Sequence, residues 1–197
     1  MTSRMVGIVF LAPIVACGGA GDAQDRAATP AAGEAAAVVS GADCGVLSVE
    51  AASRLMGESM QAGVERLRIG DPATGKAMLQ CQHDATGSSA SLSVQVQWNS
   101  DYDRPTTFAE FRTMLREQAG GSDNRIDQIN REMIDGAMAV DGLGRFGYWL
   151  PDARTLTVHT GRGHAVTIGI ARWGSGSTAD ADLVIARGVA STVLERL

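Results

Sequence analysis

The sequence predicts an α+β domain, an antiparallel sheet with helices packed on it, preceded by an export signal and a flexible tether. Three observations lead there. Leu92, Val94, Val96 and Trp98 alternate with Ser93, Gln95 and Gln97, the pattern of a strand with one buried and one wet face. Phe108, Phe111 and Leu115 fall on one stripe at helical spacing. Short Gly, Pro and Asp turns separate successive apolar segments, as antiparallel connections require.

The elements follow in order. Ser48 is placed to cap a helix over Val49 to Met56, with Leu47 before it as a staple and Gly57 as the stop. Ala77 to His83 and Ser89 to Trp98 read as strands, with Ala85-Thr86-Gly87-Ser88 as the turn between them. Thr107-Phe108-Ala109-Glu110 is a capping box that opens a helix running to about Gln118, and Gly120-Gly121 ends it. Arg145 to Leu150, Thr155 to Thr160 and Ala165 to Trp173 are three more strands, joined by Pro151-Asp152 and Gly161-Arg162-Gly163. A last helix runs from about Ala179 to Leu197 behind Ser177 or Thr178, with Leu183, Ala186, Ala190, Val193 and Leu197 as its apolar face.

The first 41 residues carry a different message. A short basic start ending at Arg4 precedes an apolar run from Met5 to Val15, too short for a stable span of about 20 residues. Ile14-Val15-Ala16-Cys17 then places aliphatics and a small residue directly before a cysteine, the pattern of a lipoprotein signal. The expectation is cleavage of residues 1–16, acylation of Cys17, and a tether over 17–41 that is almost all Ala, Gly, Thr, Asp and Glu. Each buried methylene of an acyl chain contributes about 0.8 kcal/mol, and two or more chains anchor stably. The protein is thus expected in a bacterial envelope. If the cell has two membranes, Gly18 in place of an aspartate favours the outer one.

Residues 42–197 are long enough for one domain with its own core. Cys44 and Cys81 are the cysteines left to it, and an even pair in an exported domain is expected to form a disulfide. Two free thiols, or half a metal site with His83 nearby, are the alternatives. Net charge is −5 with the arginines scattered among acids, which argues against nucleic-acid binding.

Chemistry is sparse. His159 and His164 flank the Gly161-Arg162-Gly163 turn, where the two rings would approach each other if the strands pair, with Asp152 as a candidate third ligand. A structural metal usually wants four ligands, so hairpin side chains are the better reading. Asp101 and Asp103 resemble part of a calcium loop that Pro105 interrupts. Asp141-Gly142-Leu143-Gly144-Arg145 lacks the Lys-Ser/Thr of a phosphate loop, and its glycines suit a sharp turn into a strand. No catalytic residue, metal or cofactor is expected. The expected contact surface is the solvent side of the sheet near Tyr148, Trp149 and Trp173, because aromatics are enriched at binding hot spots.

An exported cysteine tether, then Cys44-Gly45-Val46-Leu47-Ser48-Val49-Glu50-Ala51 with Leu55-Met56-Gly57, then Leu79-Gln80-Cys81-Gln82, then Gly142-Leu143-Gly144 with Tyr148-Trp149, together resemble a known group. These are small bacterial envelope lipoproteins of uncharacterised function, best known from actinobacteria and similar to the PsbP-like α/β/α sandwich. The resemblance covers most of Cys44 to Leu197 and departs at Arg145, where such proteins often carry an acid. It implies an α/β/α sandwich and transfers no active site. The resulting expectation is a non-enzymatic binding module for a protein partner or a small apolar ligand. A structural cell-wall lipoprotein without a pocket and an envelope enzyme are the alternatives.

Overall fold

A computed structural model describes residues 44–99, 102, 104–118, 129, 132–172 and 176–197 of the chain. The signal, Cys17 and the tether lie outside the described residues, as do Asp101, Asp103, Gly120-Gly121 and Trp173.

The first helix, α1, is Val49–Met56. The Ser48 hydroxyl accepts from the Ala51 amide, and Gly57 closes the helix at φ 72°, a left-handed value that favours glycine. Strands β1 (Val64–Asp71), β2 (Lys76–Asp84) and β3 (Ser91–Asn99) follow, with a short 3-10 turn at Pro72–Thr74. Helix α2 is Phe108–Gln118. A helical stretch at 132–135 leads to β4 (Met138–Val140), β5 (Phe146–Leu150), β6 (Thr155–His159) and β7 (His164–Ala171). Helix α3, Ala179–Leu194, is capped by Thr178, whose hydroxyl accepts from the Ala181 amide.

The seven strands form one sheet in the order β1-β2-β3-β7-β6-β5-β4, antiparallel at every pairing. Two meanders meet where β3 pairs with β7. Helices α1 and α3 cover one face, where Ala52, Met56, Ala186, Val189 and Val193 pack on Leu92, Val94, Leu156, Val158, Val166 and Ile168. Trp149 belongs to the same core. Its neighbours in β5, Phe146 and Tyr148, point the other way and pack against Phe111 of α2. Helices thus cover both faces, and the fold is α+β.

Cys44 and Cys81 form a disulfide, with Cα atoms 5.9 Å apart. It ties the chain just before α1 to the middle of β2 and is buried with Leu79. At the other end of the core, Asp182 is 1% exposed. It takes an ion pair from Arg154 and a 2.6 Å hydrogen bond from the Ser177 hydroxyl, which fixes the start of α3 against the β5–β6 turn.

Several elements depart from the sequence-based expectations. Strand β1 carries no strand signal in the sequence. Every residue in it except Glu65 is exposed, and a bulge between Glu65 and Leu67 breaks its alternation. Val64, Leu67 and Ile69 therefore share a face at spacings of three and two. The three-residue β4 is too short to show a period. The last helix stops at Leu194 rather than Leu197, which is left 37% exposed beyond it. In the capping box, Thr107 accepts from the Glu110 amide as expected, but the Glu110 carboxylate reaches back to the amide and hydroxyl of Thr106.

Candidate binding cleft

Helix α2 carries the chemistry of its side of the sheet because its aromatic stripe lands on β5 and β6. Phe108 stacks on Tyr148 at 5.2 Å between ring centroids. Phe111 meets Tyr148 at 5.5 Å, Phe146 at 5.8 Å and His159 at 4.8 Å. His159 stacks on Phe146 at 4.4 Å and receives the edge of Tyr102 at 5.4 Å. Aromatic pairs of this kind contribute about 0.5–1.5 kcal/mol each beyond the area they bury.

A cleft of about 440 Å³ opens between the first turns of α2 and the strands β4 and β5. It exists because Ala109 on the helix and Ala137 and Ala139 at the sheet edge are too small to fill the space beside Phe108 and Phe146. Half-buried Phe108, with buried Phe146 behind it, gives it an apolar side. Its charged groups are Arg112, Arg145 and Asp141. Arg112 holds its guanidinium 5.7 Å from the Phe108 ring centroid, a cation–π contact. Arg145 donates to the Gly161 carbonyl at 3.3 Å. The Asp141 backbone carbonyl accepts from Arg187 at 3.0 Å. Among the described residues, neither the Arg112 guanidinium nor the Asp141 carboxylate has an ion-pair partner. Thr106 and Thr107 also line the cleft, but their hydroxyls are engaged in the α2 cap. A second cleft of about 270 Å³, near Thr160, Arg162, His164 and the end of α3, is lined by no Phe, Tyr or Trp among the described residues.

The expected contact residues are placed otherwise than the sequence suggests. Tyr148 is 9% and Trp149 1% exposed, on opposite faces of β5, so neither lies on a solvent side. Both faces of this strand are covered, by α2 on one side and by the α1/α3 core on the other. Burial pushes the Tyr148 hydroxyl up to about 12, with the Thr157 hydroxyl bonded to it working in the opposite direction.

The two hairpin histidines are also separated. His159 pairs in register with Ala165, so His164 falls on the other face, where it meets the edge of Trp98 at 6.1 Å. Among the described residues no three His, Cys, Asp or Glu gather as metal ligands.

Phe108, Phe146, Arg112, Asp141 and the small Ala139 do not stand out in the sequence as site residues. Arg112 one turn after Phe108 is a legible i,i+4 pair. The cleft itself joins segments about 30 residues apart, which local patterning does not report.

His159 gives this side of the sheet a pH dependence. It is 2% exposed, and among the described residues neither ring nitrogen has a hydrogen-bond partner. Burial pushes its pKa down from 6.5 to about 4. The folded chain therefore holds it neutral while the unfolded chain protonates it first. Its contribution to stability is fully present above pH 6.5 and is lost as pH falls through about 4. The expected loss is about 3 kcal/mol. His159→Phe keeps the aromatic packing and removes the proton site. Urea unfolding at pH 7, 5.5 and 4 should show a shallower acid decline in the variant. Parallel declines would contradict the assignment.

The chain matches no protein-family model, no curated protein and no solved structure.

Proposed function

We propose that this chain is an exported lipoprotein, held at a bacterial envelope membrane by acyl chains on Cys17, and that it acts by binding a small apolar ligand in the α2–β4 cleft. The anchoring part is supported by the apolar run ending at Ala16-Cys17 and by the compositional break over 17–41. None of the described helices is long and apolar enough to cross a membrane. The binding part is carried by one observation, a concave site walled by Phe108 and Phe146 and kept open by alanines. Its charged groups supply orientation rather than a nucleophile and base, which favours binding over catalysis. A tether of this composition lets the domain search near the membrane and raises the effective concentration of weak encounters. The resemblance to actinobacterial envelope lipoproteins agrees with this reading.

A protein partner is the second reading. It is favoured by edge strand β1, which exposes Val64, Leu67 and Ile69 by 40%, 36% and 54% beside an unpaired backbone edge.

The anchor is tested by intact mass of the protein extracted from host membranes. Loss of residues 1–16 and added acyl mass on Cys17 are expected, and a soluble chain with unmodified Cys17 would refute it. Binding is tested by titrating the full chain with 2-phenylethanol and following backbone amides by NMR. Saturable shifts at Phe108, Ala139 and Gly147 are expected; a flat titration counts against the cleft.

A further inference from the structure

The charge pattern of the cleft narrows the class of ligand. This step rests on the cleft being the binding site, as proposed above. We propose that the ligand is a compact apolar zwitterion, a molecule of amino-acid type with a carboxylate for Arg112, an ammonium for Asp141 and an apolar side chain against Phe108 and Phe146. Three observations carry the inference.

The first is that charges of both signs line one cleft without neutralising each other. Arg112 and Asp141 both border it, yet neither has an ion-pair partner among the described residues. A simple anion would satisfy Arg112 but add negative charge to a cleft that Asp141 also lines. A simple cation would meet Asp141 but add positive charge to a cleft that Arg112 also lines. A neutral apolar molecule would still cover the apolar side but would replace the water of neither charge, so it binds more weakly. Only a ligand with both signs offers each group its complement, and complementarity of this kind sets specificity more than raw affinity.

The second observation is the apolar wall between the charges. Half-buried Phe108 offers ring surface that a ligand side chain can cover, buried Phe146 lies behind it, and the alanines leave room. The Arg112 guanidinium already rests near the Phe108 ring, so a carboxylate bound to it would hold the rest of the ligand close to that wall. An arginine fork suits a carboxylate because it can donate two parallel hydrogen bonds.

The third is size. About 440 Å³ lies in the lower part of the range of about 300–1,000 Å³ typical of small-molecule sites. A compact molecule fits it better than a long acyl chain.

The test uses four water-soluble probes of one shape on the full chain: phenylalanine, 3-phenylpropionate, 2-phenylethylamine and 2-phenylethanol. Affinities are read from amide shifts at Phe108 and Ala139. Phenylalanine should bind about tenfold more tightly than either singly charged probe, a difference worth one charge-assisted contact. Arg112→Gln should erase its advantage over 2-phenylethylamine, and Asp141→Asn its advantage over 3-phenylpropionate. Both positions are at the cleft edge, and an unchanged thermal midpoint confirms that the variants remain folded. If 2-phenylethanol binds as tightly as phenylalanine, the cleft stands as a site and the zwitterion is wrong. The zwitterion is equally wrong if one charge suffices, or if the two substitutions leave the ranking unchanged. If no probe shifts these amides, both the cleft and the zwitterion fall.

Discussion

Replacing Cys44 by serine is expected to lower the stability of the domain by about 4 kcal/mol. The bond closes a loop spanning 37 residues of sequence, and in the chain-entropy view the cross-link removes that much freedom from the unfolded ensemble. The site has little tolerance for the change. Cys81 is fully buried, Cys44 is 6% exposed, and Leu79 packs beside them, so the variant leaves a hydroxyl and a free thiol in an apolar setting. The tie also has a positional role: it joins the start of α1 to the middle of β2, linking one edge meander to a helix of the core face. Urea unfolding of the full chain, unreduced, should show the fall for Cys44→Ser. Reductant should lower the wild type towards the variant and leave the variant unmoved. Equal midpoints for the unreduced wild type and Cys44→Ser would contradict the expectation.

Trp149→Ala is expected to cost a similar amount, about 4 kcal/mol, within the usual range for truncating a buried large aromatic. Trp149 is 1% exposed inside the cluster that includes Val140, Leu156 and Val158, and no other side chain can collapse into so large a space without moving the α1/α3 layer. Among the described residues its indole N–H has no hydrogen-bond partner, so Trp149→Phe should be far milder: it shrinks the ring but also removes a buried unsatisfied donor. Thermal melts of the two variants check this. If Trp149→Ala melts with the wild type, Trp149 is not core, and a contact role for it returns.

Trp149 also shows what the sequence can and cannot convey. The alternation of β3 announces one buried face, and Leu92, Val94 and Val96 are indeed fully buried, but the face expected to be wet is not: Gln95 is buried too, and Gln97 is half-buried and accepts from the Tyr102 hydroxyl. Reading β5 the same way fails, because Phe146-Gly147-Tyr148-Trp149 lies where both faces are covered and both sets of side chains are core. The glycine-rich approach to that strand is legible: Gly144 adopts φ 59°, and a Cβ there would sit 2.6 Å from the His159 carbonyl oxygen. Helix α1 is legible to the residue, because Ser48 and Gly57 are local signals that need no tertiary context. Strand β1 is not, since its bulge disguises period two and its apolar residues face solvent. The burial of Asp182 is hidden as well, because it depends on Arg154 arriving from the β5–β6 turn. The cleft is a matter of what small side chains leave empty between α2 and β4, and a one-dimensional pattern carries no record of such a space.

Binding of a small molecule between α2 and β4 is tested most directly by Ala139→Trp. Ala139 is exposed on the edge strand, opposite Tyr148 in register, and lines the cleft, so an indole there fills the site without entering the core. The full chain and the variant are titrated with 2-phenylethanol by amide NMR, with Val184→Ser on the far helix α3 as the control. Saturable shifts are expected in the wild type and the control, with their loss in Ala139→Trp and thermal midpoints that stay together. Shifts of the same size and affinity in Ala139→Trp would contradict a ligand site in this cleft.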